Sequence, residues 1–131
     1  MRAKPGASLD IVADGSLSTA FRARNKAKVA ISCLLAQPGE RSKEIDEILI
    51  YLLCGLLNFR RVNSINTFVP AVEADIAWLA NLFRLDVGRH LPVLVNKGLF
   101  IELAPGYVIQ STRLWVAIID LLTIKDKKEL H

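Results

Sequence analysis

Cysteine, methionine and histidine are almost missing from this chain, with two, one and two residues among 131. Cys33 and Cys54 are too few for a disulfide framework, form no Cys-x-x-Cys pair, and each sits among apolar residues, where a thiol acts as a small hydrophobe. A reducing, cytoplasmic setting is therefore expected. His90 in mid-chain and His131 at its end offer no Cys/His spacing for a metal. One histidine, one cysteine and an unplaced carboxylate are no catalytic constellation, so neither an enzyme nor a cofactor site is expected. Long hydrophobic runs are also missing: residues 48–57 are the most apolar, about half of what a membrane-spanning helix needs. No apolar run follows Arg2 and Lys4, which argues against a signal peptide, and there is no internal repeat or low-complexity tract.

What is abundant is apolar side chain. The hydrophobic fraction is 52% and the mean hydropathy +0.33, high for one small domain, whose surface cannot hide so much. The excess predicts an oligomer interface. The net charge of +4 is unevenly spread, because Arg2, Lys4, Arg22, Arg24, Lys26, Lys28, Arg41 and Lys43 crowd the N-terminal third. That distribution is compatible with a polyanionic partner.

In chain order, residues 1–17 read as a flexible arm rich in Gly, Pro, Ser and Asp, and residues 18–131 as a single domain. Ser18 or Thr19 can cap a helix that ends before Pro38-Gly39 and presents Ala20, Ala23, Ala27, Ile31 and Leu34 on one face. Its second half is apolar almost all round and is expected to be central. Arg22 and Lys26 lie on one flank of that face, Arg24 and Lys28 on the other. They are read either as phosphate contacts or as solvated charges.

A second helix should start at Ser42, with Glu44, Asp46 and Glu47 near its positive end, and run to Arg60-Arg61. Its apolar positions cover nearly the full circle, which points again to a subunit interface. These helices, over 18–61, precede a core over 64–110. Residues 64–69 suit a short strand, and Pro70 the first position of the next helix. Ser111 or Thr112 can cap a last helix over 111–126, with Trp115 assigned to the interface and Trp78 and Tyr107 to core or hairpin packing.

Residues 75–100 carry the densest pattern. Ile76, Ala77, Leu79 and Ala80 form one apolar face, Val87, Leu91 and Leu94 a second, and Gly98 is placed for a left-handed helix end. Asp75-Ile76-Ala77, then Val87, Leu91, Leu94 and Lys97-Gly98-Leu99-Phe100, resembles the winged helix-turn-helix superfamily of prokaryotic DNA-binding regulators. Residues 100–103 and 107–109, around Ala104-Pro105-Gly106, look like its wing hairpin. The resemblance spans roughly residues 65–110, about a third of the chain. It implies a mostly α winged-helix fold with additional N- and C-terminal helices, and a homodimer formed through those helices.

The same resemblance implies sequence-specific binding of duplex DNA, as a regulator or as a replication or partition factor. If the second helix of the motif enters a major groove, its outward positions are Leu85, Asp86, Gly88, Arg89, Pro92 and Val93. Arg89 is then the base reader, and Arg84, His90 and Lys97 are phosphate contacts. The expected nucleic-acid-binding set is Arg84, Asp86, Gly88, Arg89, His90 and Lys97. The alternative is a winged helix used for protein interaction or assembly. It draws on Pro92 inside the helix, on the apolar Leu85 and Val93, and on a wing tip without Lys or Arg.

Overall fold

The computed structural model of the chain describes the backbone of residues 16–130 and the side chains of residues 17–124. Those residues form five helices and two hairpins: α1 (Ser16–Ala36), α2 (Lys43–Asn58), β1 (Phe59–Val62), β2 (Ile65–Phe68), α3 (Glu73–Asn81), α4 (Val87–Asn96), β3 (Phe100–Leu103), β4 (Gly106–Ile109) and α5 (Thr112–Leu130). The fold is mostly helical, as expected. The arm assigned to residues 1–17 lies outside the described residues except for its last two, which already belong to α1.

The centre of the fold is α2. Ser42 caps it by accepting a hydrogen bond from the Ile45 N–H, and Glu44 and Asp46 lie in its first turn, where the helix dipole favours acids. Leu49 through Gly55 are all buried, because α1, α3, α4, β4 and α5 pack around this one helix. The apolar circumference that predicted a subunit interface is thus consumed within a single chain. Trp115, expected at that interface, is fully buried against Phe59, and its indole lies where a Cβ on Gly55 would be. The second half of α1 is less central than expected, since Val29 is half exposed. Its buried stripe is Ala20, Ala23, Ala27, Ala30, Ile31 and Leu34, at the three- and four-residue spacing of one helical face.

α2 stops at Asn58, three residues before the expected end. Phe59–Val62 turns back on Ile65–Phe68 as an antiparallel hairpin, with Phe59 opposite Phe68 and Val62 opposite Ile65. Asn63 and Ser64 make the connection with φ of 52° and 66°, the left-handed pair that a two-residue hairpin turn requires. The strand expected over 64–69 therefore exists but pairs with its predecessor. Pro70 does not open α3, which begins at Glu73. It precedes Ala71, whose N–H and C=O pair with Tyr107 at 2.8 and 2.9 Å in a single antiparallel bridge.

The second hairpin pairs Phe100 with Ile109 and Leu103 with Gly106. Asn58 locks it to α2: its Nδ2 donates to the carbonyls of Val69 and Tyr107, both at 2.9 Å, and its Oδ1 accepts from the Ile109 N–H at 3.0 Å. One buried amide thus bonds three backbone groups from two segments, the loop after β2 and strand β4. No helix among the described residues is long and apolar enough to cross a membrane.

Candidate nucleic-acid interface

Two short helices, α3 and α4, meet across the turn at residues 82–86. Ile76 and Ala80 of α3 are buried, as are Val87, Leu91 and Leu94 of α4, which are the inward positions expected from the sequence. Asp86 caps α4 by accepting from the Arg89 N–H at 3.2 Å. At the other end Gly98 takes φ 79°, and the Leu99 N–H returns to the Leu94 carbonyl, which closes the helix with a left-handed residue. Pro92 lies inside α4 on its exposed side, where its missing N–H leaves the Gly88 carbonyl open to water.

Not every residue of the expected contact set reaches the surface. Arg84, Asp86, Gly88 and Arg89 are exposed around the amino-terminal end of α4, with Arg84 held at φ 59° in the turn. Asp86 is occupied as the cap. Leu85, expected to face outward, is buried beneath the turn, and its N–H bonds the Ala80 carbonyl. His90 is only 3% exposed and so cannot touch a phosphate. Its place on α4 turns it toward α2, where Nε2 lies 3.9 Å from Asp46 Oδ2. Lys97 is not free either, because Nζ is 2.7 Å from Glu47 Oε1.

The contacts of His90 and Lys97 share one origin. A polar network joins the first turns of α2 to α4 and the turn before it. Arg41 Nε binds Asp46 Oδ1 at 2.8 Å and its Nη2 donates to the Phe83 carbonyl at 2.6 Å, while Glu47 holds Lys97. The hydrogen bond from Lys97 holds the Glu47 carboxyl below its ordinary value of 4.5, against the opposing effect of burial. A carboxyl lowered on folding adds stability that is complete above its unfolded value and is lost as pH falls through its folded value. The stability difference between wild type and Glu47→Gln should therefore be largest near neutral pH and shrink as pH falls below the ordinary carboxyl value of 4.5. Thermal melts across that range test this; a difference independent of pH would refute it.

A cleft of about 240 Å³ lies between α4 and the β3–β4 hairpin, and an adjoining one of about 420 Å³ between Glu73 of α3 and the tip of that hairpin; they share Glu73, Glu102 and Tyr107. Partial burial, followed by the negative charges of Glu102 and Glu73, raises the Tyr107 phenol above its usual range. This side of α4 is acidic, so an approaching phosphate is favoured only at the Arg84–Arg89 end.

Comparisons with protein-family models, curated proteins and solved structures returned no match.

Two features of this face were not expected from sequence. Trp78, assigned to packing, is 65% exposed on α3, and Leu82 one turn later is 61% exposed. The helical period did carry the signal, since Trp78 stands opposite the Ile76–Ala80 stripe, but aromatic residues are ordinarily assigned to a core. Cys54, in contrast, is fully buried with Sγ 3.8 Å from Asn58 Oδ1, and burial pushes its thiol well above the ordinary value, which disfavours a reactive thiolate.

Proposed function

We propose that residues 71–109 are a winged-helix module that binds duplex DNA through the amino-terminal end of α4. The order of elements supports this: the Ala71 bridge to Tyr107 serves as a short first strand, followed by two helices and a hairpin that supplies its partner. The observation that carries the reading is the pair Arg84 and Arg89. Both are exposed at the end of α4 that a helix-turn-helix presents to base edges, and neither is ion-paired among the described residues. Arg89 has the forked donors that fit guanine O6 and N7, and Arg84 in the turn is placed for a backbone phosphate.

Arg89→Ala should relax sequence preference by roughly tenfold, a loss of about 1–3 kcal/mol at one base position. Arg84→Ala should instead weaken all duplexes alike and reduce the salt dependence by about one counterion. Selection from random duplex DNA followed by titration of the variants checks both, and no duplex affinity at low salt would sink the proposal. Leu114, Leu121 and Ile124, exposed on α5, are where we place self-association through the terminal helices. A twofold-symmetric selected motif would report it.

One observation favours a second reading, a protein-interaction module. Trp78 and Leu82 are exposed apolar residues one helical turn apart, and tryptophan is enriched at interface hot spots. On that reading Trp78→Ser, not Arg89→Ala, abolishes function in a folded protein.

A further inference from the structure

At the far end of α2 from α4 lies a cleft of about 430 Å³ between α1 and the β1–β2 hairpin. The sequence builds both walls. On α1, Ser18, Phe21, Arg22 and Asn25 fall at i, i+3, i+4 and i+7, one stripe of a helix. On the hairpin, strand alternation puts Arg61 on the same face as Phe59, and its cross-strand partner Asn66 on the face of Phe68. Phe59 and Phe68 pack at 5.1 Å between ring centres, and Phe21 meets Phe59 at 5.9 Å, so an aromatic floor draws the two basic walls together.

The cations here are under-used. Arg61 Nε donates to Asn66 Oδ1 at 3.1 Å, leaving its two Nη groups without a partner among the described residues. Arg22 is exposed and unpaired among them. Arg24 stacks over Phe21 at 5.9 Å and reaches the Leu56 carbonyl only at 3.5 Å. Its Nε is shielded from solvent with no acceptor at all among the described residues, a costly state for a charged donor. Three guanidinium groups therefore line one cleft whose described walls hold no carboxylate, with Ser18, Asn25 and Asn66 as neutral hydrogen-bonding groups.

We infer that this cleft is a binding site for the phosphates of a nucleic-acid backbone, separate from α4. Arg, Ser and Asn are side chains that contact phosphate and sugar oxygens, and a cleft of this size with cations on both walls suits a stretch of backbone better than a lone ion. Leu56, which Arg24 touches, is ten residues beyond Asp46, whose partner Arg41 holds the Phe83 carbonyl next to Arg84, or about 15 Å along α2. The two contact sets therefore engage different phosphates. The polynucleotide as ligand rests on the proposed function; the oxyanion chemistry does not.

The test compares the full chain with Arg22→Ala/Arg61→Ala, both at exposed positions, and with Arg84→Ala/Arg89→Ala. A random-sequence 20-base-pair duplex is titrated over a range of salt, and arginine Nε–Hε resonances are followed with inorganic pyrophosphate. We expect the Arg22/Arg61 variant to lose roughly tenfold in affinity and about two counterions of salt slope, with sequence preference unchanged. Arg24 and Arg61 resonances should shift saturably with pyrophosphate in the wild type. Wild-type affinity and slope in the Arg22/Arg61 variant would overturn the inference while leaving α4 as the DNA reader. Failure of the wild type to bind any duplex, with pyrophosphate still saturating Arg24, would remove both the proposed function and the polynucleotide assignment, leaving a small phosphate compound as the ligand.

Discussion

Asn58→Leu should lower the unfolding free energy by about 4 kcal/mol, the larger of the two effects expected from single substitutions here. Asn58 is fully buried at the last turn of α2, and its amide supplies two donated hydrogen bonds and one accepted. Leucine has a similar volume, so little cavity is created. What is lost is the pairing of the Val69 and Tyr107 carbonyls and the Ile109 N–H, and a buried polar group left without a partner costs roughly 1–3 kcal/mol. The Tyr107 carbonyl keeps its bond from the Ala71 N–H, which tempers the sum. Urea denaturation of the two proteins measures the difference, and a loss under about 1 kcal/mol would show that the amide does not hold the hairpin to α2.

The second expected result is a loss of about 3 kcal/mol in Gly106→Ala. A Cβ at this position would overlap the Ala71 carbonyl group and stand 2.8 Å from the Val72 nitrogen. Those neighbours are backbone and cannot rotate away as a side chain could, so the Ala71–Tyr107 bridge must open. Both of its hydrogen bonds go with it. Hydrogen exchange should show the Ala71 and Tyr107 amides losing protection before the α2 amides do. Unchanged protection at Ala71 would mean that the hairpin tolerates the methyl group without moving. On the proposed function this variant should also weaken DNA binding, because the bridge ties the segment before α3 to the hairpin beside α4.

Much of the helical organisation could be read directly from residue patterns. The Ser42 cap, the inward set Val87, Leu91 and Leu94, and the end of α4 at Gly98 all follow from local requirements: a side-chain acceptor for an unpaired N–H, a 3.6-residue apolar period, and a residue free to adopt positive φ. The β3–β4 hairpin was legible for the same reason, with two apolar strands flanking a Pro-Gly turn. The β1–β2 hairpin was not. Phe59-Arg60-Arg61-Val62 continues the helical pattern of α2, and Asn63-Ser64 is a weaker turn signal than Asn-Gly.

The candidate site was legible only in part. Arg84 and Arg89 stand where a helical projection puts them, whereas His90 and Leu85 do not, and Lys97 is exposed but ion-paired. A projection of one helix shows which residues share a face but not what stands opposite. Asp46 on α2 is what stands opposite the buried His90, and Glu47 pairs with Lys97 while leaving it exposed. The basic cleft was hidden similarly: Arg22 and Arg24 were visible as a charged helix start, but Arg61 joins them only because the chain reverses at Asn63.

By itself, then, the sequence determined the local elements whose geometry depends on near neighbours: caps, helix periods, the left-handed ends and the wing-like hairpin. Only the tertiary structure decided the rest. It buried the apolar circumference of α2 inside one chain, where composition had suggested a partner. It also buried His90, one of the six expected contact residues, paired Lys97 with Glu47, exposed Trp78 and assembled the arginine cleft. Those outcomes depend on side chains far apart in sequence meeting across packed elements, information that no single helix or strand carries.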